Sequence, residues 1–193
     1  ALRNLERASE LLSSFKQVAV DQTSDQRRLF RLREVVDEIL LTLQPTFKRS
    51  AHQLVCDVPH DIELDSYPGA LGQVLTNLIQ NAHLHGLDGI EHGRIDISAR
   101  RTGGAEVSLS VADNGRGIPE ASQRHVFDPF YTTKLGHGGS GLGLPIVRNI
   151  VSGALGGQIG FRNLDAGGVV FEVVLPLAAP TAAAAPAAGA VST

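Results

Sequence analysis

The chain has 193 residues, 42% of them hydrophobic and 19% charged, the balance of a globular domain with a sizeable core. A net charge of −3 gives no electrostatic case for nucleic acid or an anionic membrane, and no apolar run reaches the ~18 residues that a bilayer span needs. The single cysteine, Cys56, can form neither an internal disulfide nor a zinc site, so a reducing, cytoplasmic location is the expectation. Residue 1 is not Met and lies within a helical pattern, which leads us to expect a piece of a longer protein, whether or not that parent is anchored in a membrane.

In residues 1–20, Leu5, Ala8, Leu12, Phe15 and Ala19 recur at spacings of three and four, a heptad seam. Three heptads fit equally an ordinary core helix or one arm of a dimerising hairpin. Residues 21–28 are polar and read as a linker, and "LFRL" as a short strand. Val35, Ile39 and Leu43 set a helical period from Leu32, which Pro45 is expected to kink or to break into a new turn. "HQLVCDV" and "DIELDSY" alternate as strands. Pro68 opens a helix carrying Leu71, Val74, Leu75, Leu78, Ile79 and Ala82 on one face. "GRIDISARR" and "EVSLSVAD" make a hairpin around "TGGA". A glycine-rich stretch comes next, then a helix in which Pro145 must occupy the first turn. A second hairpin encloses "DAGG". Residues 178–193 are Ala/Pro-rich with nothing to bury and read as a disordered tail. Helices placed between hairpins predict an α+β two-layer sandwich with a mixed sheet.

Four stretches carry chemistry. Residues 136–141 match G-x-G-x-x-G, but "FDPFYTTKL" precedes them where a dinucleotide fold needs a buried strand, and no Walker sequence exists in the chain. Asn77 and Asn81, four apart, share a helix face; alone they are ordinary surface, although an amide oxygen can serve Mg²⁺. Asp113 ends an apolar strand before Gly115 and Gly117, which reads as turn chemistry or as a carboxylate at the floor of a pocket beside a flat ligand. "GGSGLGL" opens a helix, where bare amides and the helix dipole favour an anion.

In this order, the four match one pattern. The sequence resembles the ATP-binding catalytic domain of two-component sensor histidine kinases, a superfamily shared with DNA gyrase and heat-shock chaperones. "QVLTNLIQNAHLHG" resembles the N box, "DNGRGIP" the first glycine box, "VFDPFYTTK" the F box with the start of the ATP lid, and "GSGLGLPIV" the second glycine box. The resemblance covers residues 29–177 and implies a Bergerat-type α/β sandwich with a lid over about 116–140.

It also implies roles. Asp113 reads adenine, Asn81 holds Mg²⁺, and Asn77 stands where ATP-hydrolysing relatives carry a glutamate base. An amide cannot take a proton from water, so transfer is favoured over hydrolysis. The implied catalytic residues are Asn77, Asn81 and Lys134. The implied ATP-binding set comprises Asn81, His85, Asp113, Gly115, Gly117, Ile118, Phe127, Phe130, Thr132, Thr133, Lys134, Gly139, Ser140, Gly141, Leu142, Gly143 and Leu144, with Phe127 and Phe130 as hinge and anchor of the lid. The chain departs from the pattern at Leu84, where many members carry a cation, leaving phosphate neutralisation to Lys134 or protonated His137. It departs also at "GGVVF", where relatives have threonine. None of the seven histidines lies in an H box. The resemblance therefore implies a protein-histidine kinase that moves the γ-phosphoryl of Mg·ATP to a histidine on a dimerisation domain absent from this chain. Its partners would be that domain, a response regulator and, in the parent, a second copy. The alternatives are an ATPase or serine-kinase relative, or a module that only binds ATP.

Overall fold

Alternation in the paired hairpins builds the centre of the molecule. The computed structural model describes residues 26–48, 50–133 and 140–180; the heptad segment, Lys134, His137, Gly139 and most of the Ala/Pro tail lie outside them. Strands β2 (Gln53–Asp57), β4 (Arg94–Arg101), β5 (Glu106–Asp113), β6 (Gln158–Asn163) and β7 (Val169–Pro176) form a five-stranded sheet in the order β2-β4-β5-β7-β6. Only β2 and β4 run parallel, so the sheet is mixed. Register puts Ile97 opposite Val111 and Val111 opposite Phe171, and this row, with Leu109 and Val173, is almost wholly buried. The alternate residues Ser98, Ser108 and Ser110 make the other face polar, where Arg100 pairs with Glu172 at 3.0 Å.

Against the apolar face lie α1 (Leu32–Phe47), α2 (Pro68–Asn81) and α4 (Gly143–Ser152). Each buries one stripe: Val36 from α1, Leu71, Val74, Leu75 and Leu78 from α2, Val147 and Val151 from α4. Gly72 lets α1 and α2 approach closely, since a Cβ there would lie 3.3 Å from Cδ1 of Ile39. Pro145 occupies the first turn of α4, as expected. Pro45 does not end α1, which runs on to Phe47. Near a helix end its missing N–H orphans one carbonyl, that of Leu41, in a stretch open to water (Leu41 is 68% exposed).

Two features lay beyond the pattern. "LFRL" belongs to a strand, β1 (Arg28–Arg31), but it pairs with β3 (Glu63–Ser66) in a separate two-stranded sheet. Arg27 ties that sheet with two bonds to Asp65, at 2.9 and 2.7 Å. Residues 178–180, expected in the tail, are also held: Ala179 N–H donates to the carbonyl of Asp65 at 2.9 Å, and Pro180 covers Gly156. No helix among the described residues is long and apolar enough to cross a membrane.

Candidate functional site

Strand β5 ends at Asp113, whose side chain faces the helix layer at the end of the apolar row. It is 3% exposed, and its Oδ1 accepts the amide of Gly115 at 2.9 Å. Burial raises its pKa above the ordinary carboxylate value, opposed by the amides of Gly115 and Val169. Three glycines allow this placement. A Cβ on Gly86 would fall 2.7–2.9 Å from the carboxylate, one on Gly115 would strike the carbonyl of Gly86, and one on Gly168 would strike the carbonyl of Asp113. The carboxylate is thus closely bounded by Gly86 and Gly115, and it lines a cavity.

The second wall comes from α2 and the turn at its C-terminal end. The helix does not simply stop: Ala82–Gly86 forms a π-helical turn, with the amide of Leu87 donating to the carbonyl of Ala82 at 2.9 Å. The extra residue swings the chain so that Gly86 meets Asp113 and His85 reaches Thr133, with Nδ1 to Oγ1 at 3.3 Å. His83 points elsewhere, toward His52, their Nδ1 atoms 3.2 Å apart, beneath the Phe47 ring. Asn77 donates to the carbonyl of Gln73 at 3.0 Å, and its Oδ1 lies 3.5 Å from the Cβ position of Gly143. The side chain of Asn81 lines the cavity and makes no hydrogen bond among the described residues.

The third wall is the start of α4 and the segment leading to it. Gly141, at φ +69, accepts the amide of Phe130, itself at φ +66, with 2.9 Å between them. Phe127 packs beside Phe161, their centroids 6.1 Å apart, with the Arg148 guanidinium 5.5 Å over its ring. The first part of the expected lid is therefore folded onto the body, with a short helix, α3 (Glu120–Gln123), and a buried Val126. Phe130 is 60% exposed, and it is its backbone that meets Gly141.

These walls enclose about 360 Å³. Of the residues singled out from sequence, Asn77, Asn81, His85, Asp113, Gly117, Ile118, Thr132, Thr133, Ser140, Gly141, Gly143 and Leu144 line this space. Gly115, Phe127, Phe130 and Leu142 stand behind the lining, and Lys134 and Gly139 lie outside the described residues. Sequence reasoning missed Gly86, Asp88, Arg116 and Tyr131, all in the lining. Arg116 pairs with Asp88 at 3.0 Å at the rim. Its position inside the glycine box was a usable signal; that of Asp88, in a polar loop, was not.

Residues 67–179, which include every wall of the cavity, match the family model for histidine kinase-, DNA gyrase B- and HSP90-like ATPases. The chain belongs to this ATPase family. Sensor histidine kinase AruS of Pseudomonas aeruginosa is 37% identical over 170 residues, covering 82% of this chain and 17% of that protein. The catalytic domain of histidine kinase ThkA superposes with a TM-score of 0.70 at 31% identity, covering 79% of this chain and 97% of that one. ThkA in complex with the response regulator TrrA gives 0.67 at 26% identity, over 88% of this chain and 48% of that one. The chain spans about a fifth of the length of the curated relatives it matches first.

Membership of this ATPase family implies ATP binding, and the α+β sandwich is that of histidine kinase catalytic domains. Among the described residues no cluster of three His, Cys, Asp or Glu side chains could hold a metal unaided.

Proposed function

We propose that this chain is the catalytic domain of a sensor histidine kinase, binding Mg·ATP in the cavity and passing the γ-phosphoryl to a histidine on a dimerisation domain of its parent. The observation that carries the reading is Asp113: a nearly dry carboxylate, closely approached by Gly86 and Gly115, in the lining of a cavity of nucleotide size. Such a group discriminates by accepting from an exocyclic amine, as adenine offers and guanine at that position does not.

The residues fit the remainder of the ligand. Gly141 and Gly143 open α4 with bare amides and a favourable dipole for phosphate oxygens. The uncommitted oxygen of Asn81 fits Mg²⁺, which would neutralise phosphate charge. Leu84 lies in the lining where a cation is usual in the family, and the described basic residue there is Arg116, at the Asp113 end. Charge at the phosphate end falls to Lys134 or His137, by their place in the sequence. Asn77 holds its own helix carbonyl and cannot act as a base toward water, so the site suits transfer to an acceptor that brings its own nucleophile.

A response regulator as partner is supported by the likeness to ThkA, whose complex with TrrA is such a pair. A homodimeric parent and a cytoplasmic location for this domain complete the reading. The test is the intact parent, with the acceptor histidine present or replaced, incubated with radiolabelled ATP. Acid-labile label that requires both the histidine and Asn81 supports the proposal; acid-stable label moves it to the serine-kinase relatives.

A further inference from the structure

The glycine loop after Asp113 is fastened on both sides, and only one fastening belongs to its own motif. On the β4 side, Asn114 Oδ1 accepts the amide of Arg94 at 2.7 Å. On the other side the partner is Asn163, the last residue of β6. Its Oδ1 accepts the amide of Ile118 at 2.9 Å, and its Nδ2 donates to the carbonyl of Ile118 at 2.9 Å. The side-chain amide thereby imitates one rung of a β-ladder, with loop backbone as the opposite strand. Among the described residues the Ile118 amide has no other partner, while its carbonyl also accepts from Gln123 at 3.2 Å.

This rung fixes residues that line the cavity. Gly117 holds φ +68, and a Cβ on it would lie 3.0 Å from Asn163 Oδ1 and 3.1 Å from the carbonyl of Gly168. Gly117, Ile118 and Pro119 all face the cavity, and Pro119 leads into α3. The same hairpin that carries Asn163 brings Gly168 against Asp113. One turn therefore sets both the carboxylate and the wall beside it.

We infer that Asn163 is a positioning residue for the nucleotide base: it presets the wall formed by Gly117 and Ile118 beside Asp113 without touching the ligand. The inference rests on reading the cavity as an ATP site. A loop that must be ordered on binding charges its lost entropy to affinity, whereas a preset one does not.

The test uses the full 193-residue chain, with Asn163→Ala, Asn163→Asp and Asp113→Asn. Affinity for the magnesium complex of a non-hydrolysable ATP analogue is measured by calorimetry, and amide exchange at Ile118 without nucleotide. Asn163→Ala should bind roughly tenfold more weakly, with faster exchange at Ile118 and a nucleotide-free melting point near that of the wild type. Asn163→Asp keeps an acceptor for the Ile118 amide and should recover part of the affinity, a rescue that general destabilisation would not produce. Unchanged affinity in Asn163→Ala while Asp113→Asn loses binding overturns the inference, as does loss without any rescue by Asp. Wild-type affinity in Asp113→Asn overturns the ATP reading itself.

Discussion

Gly86 and Asp113 are in contact through an atom that does not exist: a Cβ on Gly86 would sit 2.7 Å from Oδ2 and 2.9 Å from Oδ1 of the aspartate. The end of the π-helical turn and the end of β5 are fitted to each other at this point, and the cavity opens beside it. Gly86→Ala should therefore push the carboxylate away from its bond to Gly115. We expect a lower melting point, at a cost of about 1–3 kcal/mol for overpacking, and a larger loss in nucleotide affinity than in stability. Thermal melts and calorimetry on the same variant give both.

That contact shows where sequence stops being informative. The end of β5 at Asp113, the hairpins and the helix from Pro68 were legible because alternation and a 3.6-residue period are local signals. The purposes of Gly86 and Gly168 were not, because each lacks a side chain on account of a residue distant in the chain, and a glycine in "HLHG" or "DAGG" looks like any turn former. The π-helical turn was hidden for a related reason: one inserted residue leaves the apolar period around it intact. The pairing of β1 with β3 is a long-range register that two short runs do not specify. The exposure of Phe130 was not legible either, because it comes with a backbone at φ +66 clasped to Gly141, which no local pattern signals.

The His52–His83 pair predicts a pH effect on stability. His52 Nε2 faces the carbonyl of Ile90 at 2.9 Å and must donate, which leaves its Nδ1 to accept from His83. Burial, and then the nearby His52, lower the pKa of His83 below its ordinary 6.5. Asp37 and Lys48 line the adjoining groove with His52. A depressed pKa means that the unfolded chain takes up the proton first. The stability contributed by neutral His83 is present above pH ~6.5 and is lost as pH falls through the folded value. Denaturant melts from pH 7.5 to 5 should show this decline, and His83→Asn, which keeps a donor for His52 but does not titrate, should flatten it.

Asn77 and Asn81 should separate two functions on one helix face. Asn81→Ala removes the open amide oxygen and should abolish the magnesium dependence of nucleotide binding, leaving weak, magnesium-independent affinity. Asn77→Glu places a carboxylate beside Gly143 at the start of α4 and should raise phosphate release from ATP above the low wild-type rate. Phosphate release and calorimetry with and without magnesium check both. Equal magnesium dependence in wild type and Asn81→Ala would assign the cation elsewhere.

Asp113→Asn should divide binding from stability. The carboxylate accepts two backbone amides and, by our reading, an adenine amine; losing the charge-assisted bond should cost roughly 1.5–3 kcal/mol of ATP affinity. Stability should move the other way as pH rises. Burial raises the folded pKa of Asp113 above the ordinary 3.8, so between those values the folded state holds a proton that the unfolded state has released. The stabilisation from a protonated Asp113 is full below pH ~3.8 and is lost as pH climbs through the raised folded value. Asparagine has no proton to lose. The difference in unfolding free energy, mutant minus wild type, should therefore become more favourable to the mutant from pH 4 toward neutrality and then level off. Other carboxylates titrate in both proteins and cancel from that difference, including Asp65, whose pKa is lowered by its bond to Arg27. A difference that stays flat with pH, together with unchanged ATP affinity, would remove Asp113 from the floor of the nucleotide site.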